Sequence, residues 1–140
     1  MAVTRGPASA AACPCGRLDA RGQALAFASC CGHHLADFEN MPAPDAETLM
    51  RSRYCAFVLE DAPYLLATWH PSTRPTDLAF EHDLKWLGLE VRAVGETGAD
   101  RAEVEFVARS RLAGRGHRLH ERSRFVREGG RWYYLEGEVK

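Results

Sequence analysis

LHERSRFVREGGRWYYL, residues Leu119 to Leu135, decides the fold. Leu119 to Val126 has the two-residue period of a strand, and Trp132-Tyr133-Tyr134-Leu135 resumes a strand-forming run. Between them Gly129-Gly130 is the composition of a two-residue hairpin turn, which needs positive φ at both central positions. Such a turn pairs Phe125 with Tyr134 and Ser123 with Glu136. It puts Glu121, Ser123, Phe125, Trp132 and Tyr134 on one face. Leu119 and Phe125 are the large apolar side chains of that strand face, so it is the inner face and Glu121 points inward.

Upstream, Leu89-Val91-Ala93 and Ala102-Val104-Phe106-Ala108 keep the same period, with turns expected at Gly95–Gly98 and Gly114–Gly116. Before them the period is helical. Asp45 can cap a helix running from Ala46 to Glu60, on which Ala46, Leu49, Met50, Tyr54 and Phe57 recur at three- and four-residue spacing. Asp61 and Pro63 start a second short helix through Tyr64, Leu65, Leu66 and Trp69, ended by His70-Pro71. A third helix is expected over Thr76 to Trp86. Helices followed by an antiparallel meander define an α+β fold with the helices on one face of the sheet.

Arg53 falls inside the apolar face of the first helix, where a guanidinium needs an anionic partner, and the inward Glu121 is the candidate. One reading is a structural ion pair joining helix to sheet. The other is a polar pocket in which Glu121 serves as general acid or base, His70 as a second proton carrier, and Arg53 or Tyr54 as an anion ligand.

The chain has 140 residues, enough for one core, and a net charge of -1, which excludes holding nucleic acid by bulk charge alone. Charge is nonetheless uneven, with ten basic and six acidic side chains from Arg101 onward. Arg118, His120, Arg122 and Arg124 form a stripe on the outer face of the Leu119 strand, near Arg109 and Arg111. Such a stripe is ordinarily a solvated face and otherwise a surface for RNA, a ribosome or an acidic protein. No apolar run approaches the ~20 residues of a membrane span and the start lacks a secretory stretch, so a soluble, cytoplasmic protein is expected. No phosphate loop, Gly-x-Gly-x-x-Gly element or His-Glu-x-x-His motif appears, and nucleotide hydrolysis and zinc-protease chemistry have no support.

Residues 1–12 are small and polar and read as a disordered tail, and 13–44 have no sustained period and few large apolar residues. A segment of that kind needs a staple. Cys13-Pro14-Cys15, fourteen residues, then Cys30-Cys31 supply four thiols, the complement of a closed structural zinc site, with iron as the lesser alternative. Two disulfides are the competing reading, disfavoured in a reducing cytosol. His33 and His34 follow closely as substitute ligands of lower rank. Cys55, inside the first helix and expected to lie far from this cluster, reads as a small buried core residue rather than a nucleophile.

Cys13-Pro14-Cys15-Gly16 with Cys30-Cys31-Gly32 resembles the SEC-C metal-binding motif. Met50-Arg51-Ser52-Arg53-Tyr54-Cys55-Ala56-Phe57-Val58, Thr68-Trp69-His70-Pro71-Ser72, Trp86-Leu87-Gly88-Leu89, Glu121-Arg122-Ser123-Arg124-Phe125 and Trp132-Tyr133-Tyr134 together resemble the YchJ family, bacterial proteins of undetermined function. The resemblance covers about residues 13 to 139. It implies a cone-shaped, nuclear transport factor 2-like domain over 45–140 beside an SEC-C-like segment over 13–44, with zinc at Cys13, Cys15, Cys30 and Cys31. The interval between the second and third cysteines is longer than the family's usual one. Some members also carry a second SEC-C segment, of which residues up to Lys140 contain no sign.

The leading expectation is a non-enzymatic binding or adaptor module with a structural zinc site and a protein partner, since four thiols leave no open coordination position and no catalytic constellation is complete. The alternative is a small-molecule-binding protein or enzyme using the cone cavity, with Glu121, Arg53, Tyr54 and His70 at its mouth. RNA or ribosome association through the basic sheet face is the third.

Overall fold

The meander in the computed structural model is a four-stranded antiparallel sheet in the order β1-β2-β3-β4, with β1 at Lys85–Gly98, β2 at Arg101–Leu112, β3 at Arg115–Glu128 and β4 at Arg131–Val139. The structure describes residues 10–140. Residues 1–9, most of the expected disordered tail, lie outside them. Ala11 and Ala12 are in place: the Phe27 N–H donates to the Ala11 carbonyl and Ala12 bridges Ala26.

Among the described residues a 3-10 turn at Phe27–Ser29 and three α-helices precede the sheet, α1 at Cys31–Ala36, α2 at Ala46–Leu59 and α3 at Ala62–Ala67. The caps are those the sequence names: the Asp45 carboxylate accepts from the Thr48 N–H at 2.7 Å and Asp61 from the Tyr64 N–H at 3.1 Å. Helix α2 is not the one-sided amphipathic helix of its spacing. Residues 46–56 contain no exposed position, because α1, α3 and the sheet all pack on it. Ser52 is accommodated there by donating to the Leu49 carbonyl and pairing with the Tyr64 hydroxyl at 2.7 Å.

The third helix expected over Thr76 to Trp86 does not form. The segment is irregular as far as Leu84, and Lys85 and Trp86 already belong to β1. Leu78 and Phe80 both pack on the cluster of Ala56, Tyr64 and Leu65. A pair two residues apart can share a face in extended chain but not in a helix, and a segment this short has no intrinsic helical stability to resist that pull.

The turns are displaced from the glycines that signalled them. Strand β1 continues through Gly95 to Gly98 and turns at Ala99-Asp100, and β2 turns into β3 at Ala113-Gly114. Strand β1 shifts register three times against β2, at Trp86/Gly88, Val91/Ala93 and Glu96/Gly98, and such bulges bend a sheet into a cone. The Gly129-Gly130 turn is as read, with φ of 58° and 78°, and Phe125 pairs with Tyr134. Beyond that pair the register departs from expectation. Leu135 is bulged, so Ser123 faces Gly137 rather than Glu136 and the inward parity of β4 reverses.

One core runs from the inner sheet face (Val104, Phe106, Phe125, Trp132) through Leu49, Met50 and Cys55 of α2 to Cys13, Cys15, Cys30 and Cys31. The N-terminal segment is also held by three arginines. Arg17 donates to Thr48 Oγ1, Arg51 to the Cys15 carbonyl, both at 2.9 Å, and Arg131 to the carbonyls of Phe38 and Glu39.

Candidate functional site

Cys13, Cys15, Cys30 and Cys31 converge as their spacing suggests. Their sulfurs lie within 4.8 Å of one another and all four residues are buried. The Cys15 and Cys30 sulfurs are 3.6 Å apart and those of Cys30 and Cys31 4.0 Å. A tetrahedral tetrathiolate with metal–sulfur bonds of about 2.3 Å requires sulfur separations of about 3.8 Å, so the donor set fits one metal ion. None of the five cysteines is in a disulfide. The crowded thiols compete for protons: hydrogen bonding with Cys13 pulls the Cys15 thiol far below its usual range, whereas burial pushes Cys30 up to about 12. Four adjacent thiolates are sustainable only around a cation. A Cβ on Gly32 would stand 2.7 Å from the Phe27 carbonyl oxygen, which accounts for a glycine directly after Cys31.

Two sequence expectations about the surroundings need correction. Cys55 is not remote: its sulfur is 3.5 Å from that of Cys13. Helix α2 lies directly under the cluster, a docking that spacing within residues 13–31 gives no means of reading. The signal was available only through Arg51, one turn before Cys55, which takes the Cys15 carbonyl. His33 and His34 are not part of the cluster. His34 is buried and its Nδ1–H donates to the Met41 carbonyl at 2.6 Å, with burial lowering its pKa.

The second site is a cavity of about 220 Å³ between α2 and the inner sheet face, bordered by Arg53, Tyr54, Glu121 and Ser123 among aromatic walls that include Phe57, Trp86, Phe106 and Phe125. Glu121 points inward as its parity requires, and Ser123 Oγ donates to its carboxylate at 2.7 Å. Gly137 makes room for it, since a Cβ there would lie 2.5 Å from Glu121 Cδ. A glycine within a strand pattern marks a bulge or close approach, and both occur here.

The expected Arg53–Glu121 ion pair is absent. No carboxylate oxygen among the described residues lies within 4.0 Å of the guanidinium. Arg53, 4% exposed, instead donates from Nη1 to the Leu65 carbonyl at 2.8 Å and to Thr68 Oγ1 at 2.7 Å. Its Cζ lies 5.1 and 4.6 Å from the ring centroids of Trp69 and Tyr134, within cation–π range of both. These contacts exist because the chain after α3 docks on β4 at its bulge, with the Tyr134 N–H donating to the Thr68 carbonyl and the His70 N–H to that of Tyr134. Burial holds the Arg53 pKa down to about 10, still a cation at neutral pH, and pushes Tyr54 and Tyr134 up to about 12.

His70, expected at this pocket, does not border it. Its Nδ1 accepts from the Ser72 N–H at 3.1 Å, so Nε2 carries the proton and donates to Glu128 at 3.0 Å. The basic stripe on the outer sheet face is not bare either. Arg122 pairs with Glu103 and Glu105, Arg124 with Glu103, Glu136 and Glu138, and His120 with Glu105. The reversal of parity at Leu135 brings Glu136 and Glu138 to this face.

A curved sheet enclosing α2 and preceded by a four-cysteine cluster defines a nuclear transport factor 2-like protein with an SEC-C segment. The sequence profile of the YchJ middle NTF2-like domain matches residues 45–137. A UPF0225 protein of Polaromonas sp. strain JS666 is 63% identical over 131 residues, covering 93% of this chain and 94% of that one, and one from Bordetella pertussis is 51% identical over 99% of this chain and all of the other. The solution structure of an SEC-C motif containing protein from Rhodopseudomonas palustris superposes with a TM-score of 0.75 at 35% identity, over 93% of this chain and 99% of that one. The crystal structure of an SEC-C motif containing protein from Psychrobacter arcticus gives 0.78 at 31%, over 94% and 84%. The chain belongs to the YchJ family.

Proposed function

We propose that this protein is a non-catalytic binding protein, in which a structural zinc ion on Cys13, Cys15, Cys30 and Cys31 fastens the N-terminal segment to a cone whose cavity receives a small organic ligand. The observation that carries the ligand-binding role is Arg53, a buried cation at the wall of a 220 Å³ cavity that it shares with Glu121 without making an ion-pair contact to it. Structural arginines at such depth are normally neutralised, whereas binding sites keep a few oriented polar groups among apolar walls. Zinc is favoured by four soft donors in a closed, buried set, and a closed set assigns the metal to architecture rather than chemistry. The non-catalytic reading is supported by the position of His70, which leaves Glu121 without a histidine at the cavity.

The test is a thermal-shift screen of reduced, metal-replete protein against small organic acids, amines and neutral ring compounds, with metal content measured in parallel. A saturable stabilisation by one chemical class supports the reading. No stabilisation by any class in protein containing one metal equivalent would refute the ligand-binding role.

A further inference from the structure

We infer that the cavity ligand is a small aromatic monocarboxylate carrying a hydroxyl or amino hydrogen-bond donor on its ring. This inference rests on the ligand-binding reading above and assigns that site its chemical class.

Three features define the class. The first is charge. Arg53 uses Nη1 for the Leu65 carbonyl and Thr68 Oγ1, while Nε and Nη2 make no hydrogen bond among the described residues. Trp69 and Tyr134, themselves edge-on to each other, crowd one side of the guanidinium, and Arg53 borders the cavity with Nε and Nη2 uncommitted; a carboxylate matches that pair of donors in shape and sign. The second is the wall. Tyr54, Phe57, Trp86, Phe106 and Phe125 surround the space, and aromatic walls favour a flat ring through edge and offset contacts. The third is size. A cavity of about 150 Å³ accepts benzene, so the 220 Å³ here accommodates a single ring with two small substituents.

Glu121 selects the second substituent. Ser123 donates to one of its oxygens, and the other oxygen remains an acceptor within the same space. A ligand with a carboxylate at one end and a donor at the other answers both protein charges without bringing Arg53 and Glu121 together. A dicarboxylate would set an anion against Glu121 and is rejected.

The test uses isothermal titration calorimetry on the full chain with 4-hydroxybenzoate, its neutral amide 4-hydroxybenzamide, and benzoate. The acid is expected to bind with a stoichiometry of one, the amide at least tenfold more weakly, and benzoate several-fold more weakly than the hydroxy acid. Ala108→Leu, which fills the cavity from β2 and leaves Arg53 untouched, is expected to abolish binding while the protein still melts cooperatively. Arg53→Met is expected to equalise acid and amide; because Arg53 also ties α2 to Leu65 and Thr68, the wild-type ligand series decides the matter if that variant does not fold. Equal affinity for acid and amide overturns the carboxylate assignment and leaves the cavity as a binding site. Equal affinity for benzoate and the hydroxy acid overturns the role given to Glu121. Binding unaffected by Ala108→Leu overturns the location. Failure of all three rings to bind folded wild-type protein overturns this class, while the wider screen above separately decides whether the cavity binds any ligand.

Discussion

Replacing Cys15 with serine tests the staple directly. Cys15 is completely buried and its sulfur lies 3.6 Å from that of Cys30, so a metal held by both would close a loop of fourteen intervening residues. For a cross-link closing about fifteen residues, the loss of unfolded-state entropy is worth about 3 kcal/mol. A buried serine hydroxyl without a partner adds about 1 kcal/mol or more. The sum, roughly 4 kcal/mol, corresponds to a fall in Tm on the order of 15 °C for a chain of this length. The assay is differential scanning calorimetry with metal analysis on the same samples, comparing wild type, wild type stripped by a chelator, Cys15→Ser and Cys55→Ala. Stripped wild type and Cys15→Ser should both lose the metal and melt at similarly lowered temperatures. Cys55→Ala should keep a full equivalent and lose only the packing of one small side chain. Full metal content with an unchanged Tm in Cys15→Ser would refute the four-sulfur assignment. Loss of metal from Cys55→Ala would show that the thiol 3.5 Å from Cys13 is a ligand after all.

Three other outcomes follow from the geometry. Gly137→Ala should displace the Glu121 side chain and break its bond with Ser123, weakening ligand binding more than it lowers Tm; calorimetry on one protein sample reads both, and unchanged affinity would contradict the packing described. Leu65→Ala, at a fully buried position whose carbonyl receives Arg53, should cost about 2–5 kcal/mol in chemical denaturation, and a loss below ~1 kcal/mol would indicate a collapsible site. The Glu105 carboxyl is held below its usual range by hydrogen bonds from His120 and then Arg122, so its contribution to stability is present above the unfolded pKa of about 4.3 and is lost as pH falls through the lowered folded value. The stability difference between wild type and Glu105→Gln, followed by thermal melts from pH 7 to 3, should therefore shrink only below about pH 4, and a constant difference would contradict the assignment.

The helix caps, the hairpin at Gly129-Gly130 and the convergence of four cysteines were legible because each depends on neighbours in sequence or on a residue type with one dominant use. Glu121 was legible as inward-facing because β3 keeps its period without interruption opposite β2. The partners of Glu121 and Arg53 were not. Whether a carboxylate and a guanidinium meet depends on a few ångströms of sheet curvature, set by three irregularities in β1 and one bulge at Leu135. Only Gly137 hinted at the last of these. The place of Cys55 was hidden for a related reason: the N-terminal segment docks through arginine-to-carbonyl bonds, which have no sequence period.

Helix α2 borders both sites, and this explains why its sequence is so poor in ordinary surface residues. Arg51 and Cys55 face the cysteine cluster, whereas Met50, Arg53, Tyr54 and Phe57 face the cavity. A helix packed against both cannot shift toward one neighbour without leaving the other, because interiors at close packing have no slack of that size. A metal held by the four cysteines, as proposed above, would therefore do more than order residues 13–44. By fixing one side of α2, it would fix where the Arg53 guanidinium stands relative to Glu121, the two groups lying beyond ion-pair contact on the wall of one cavity.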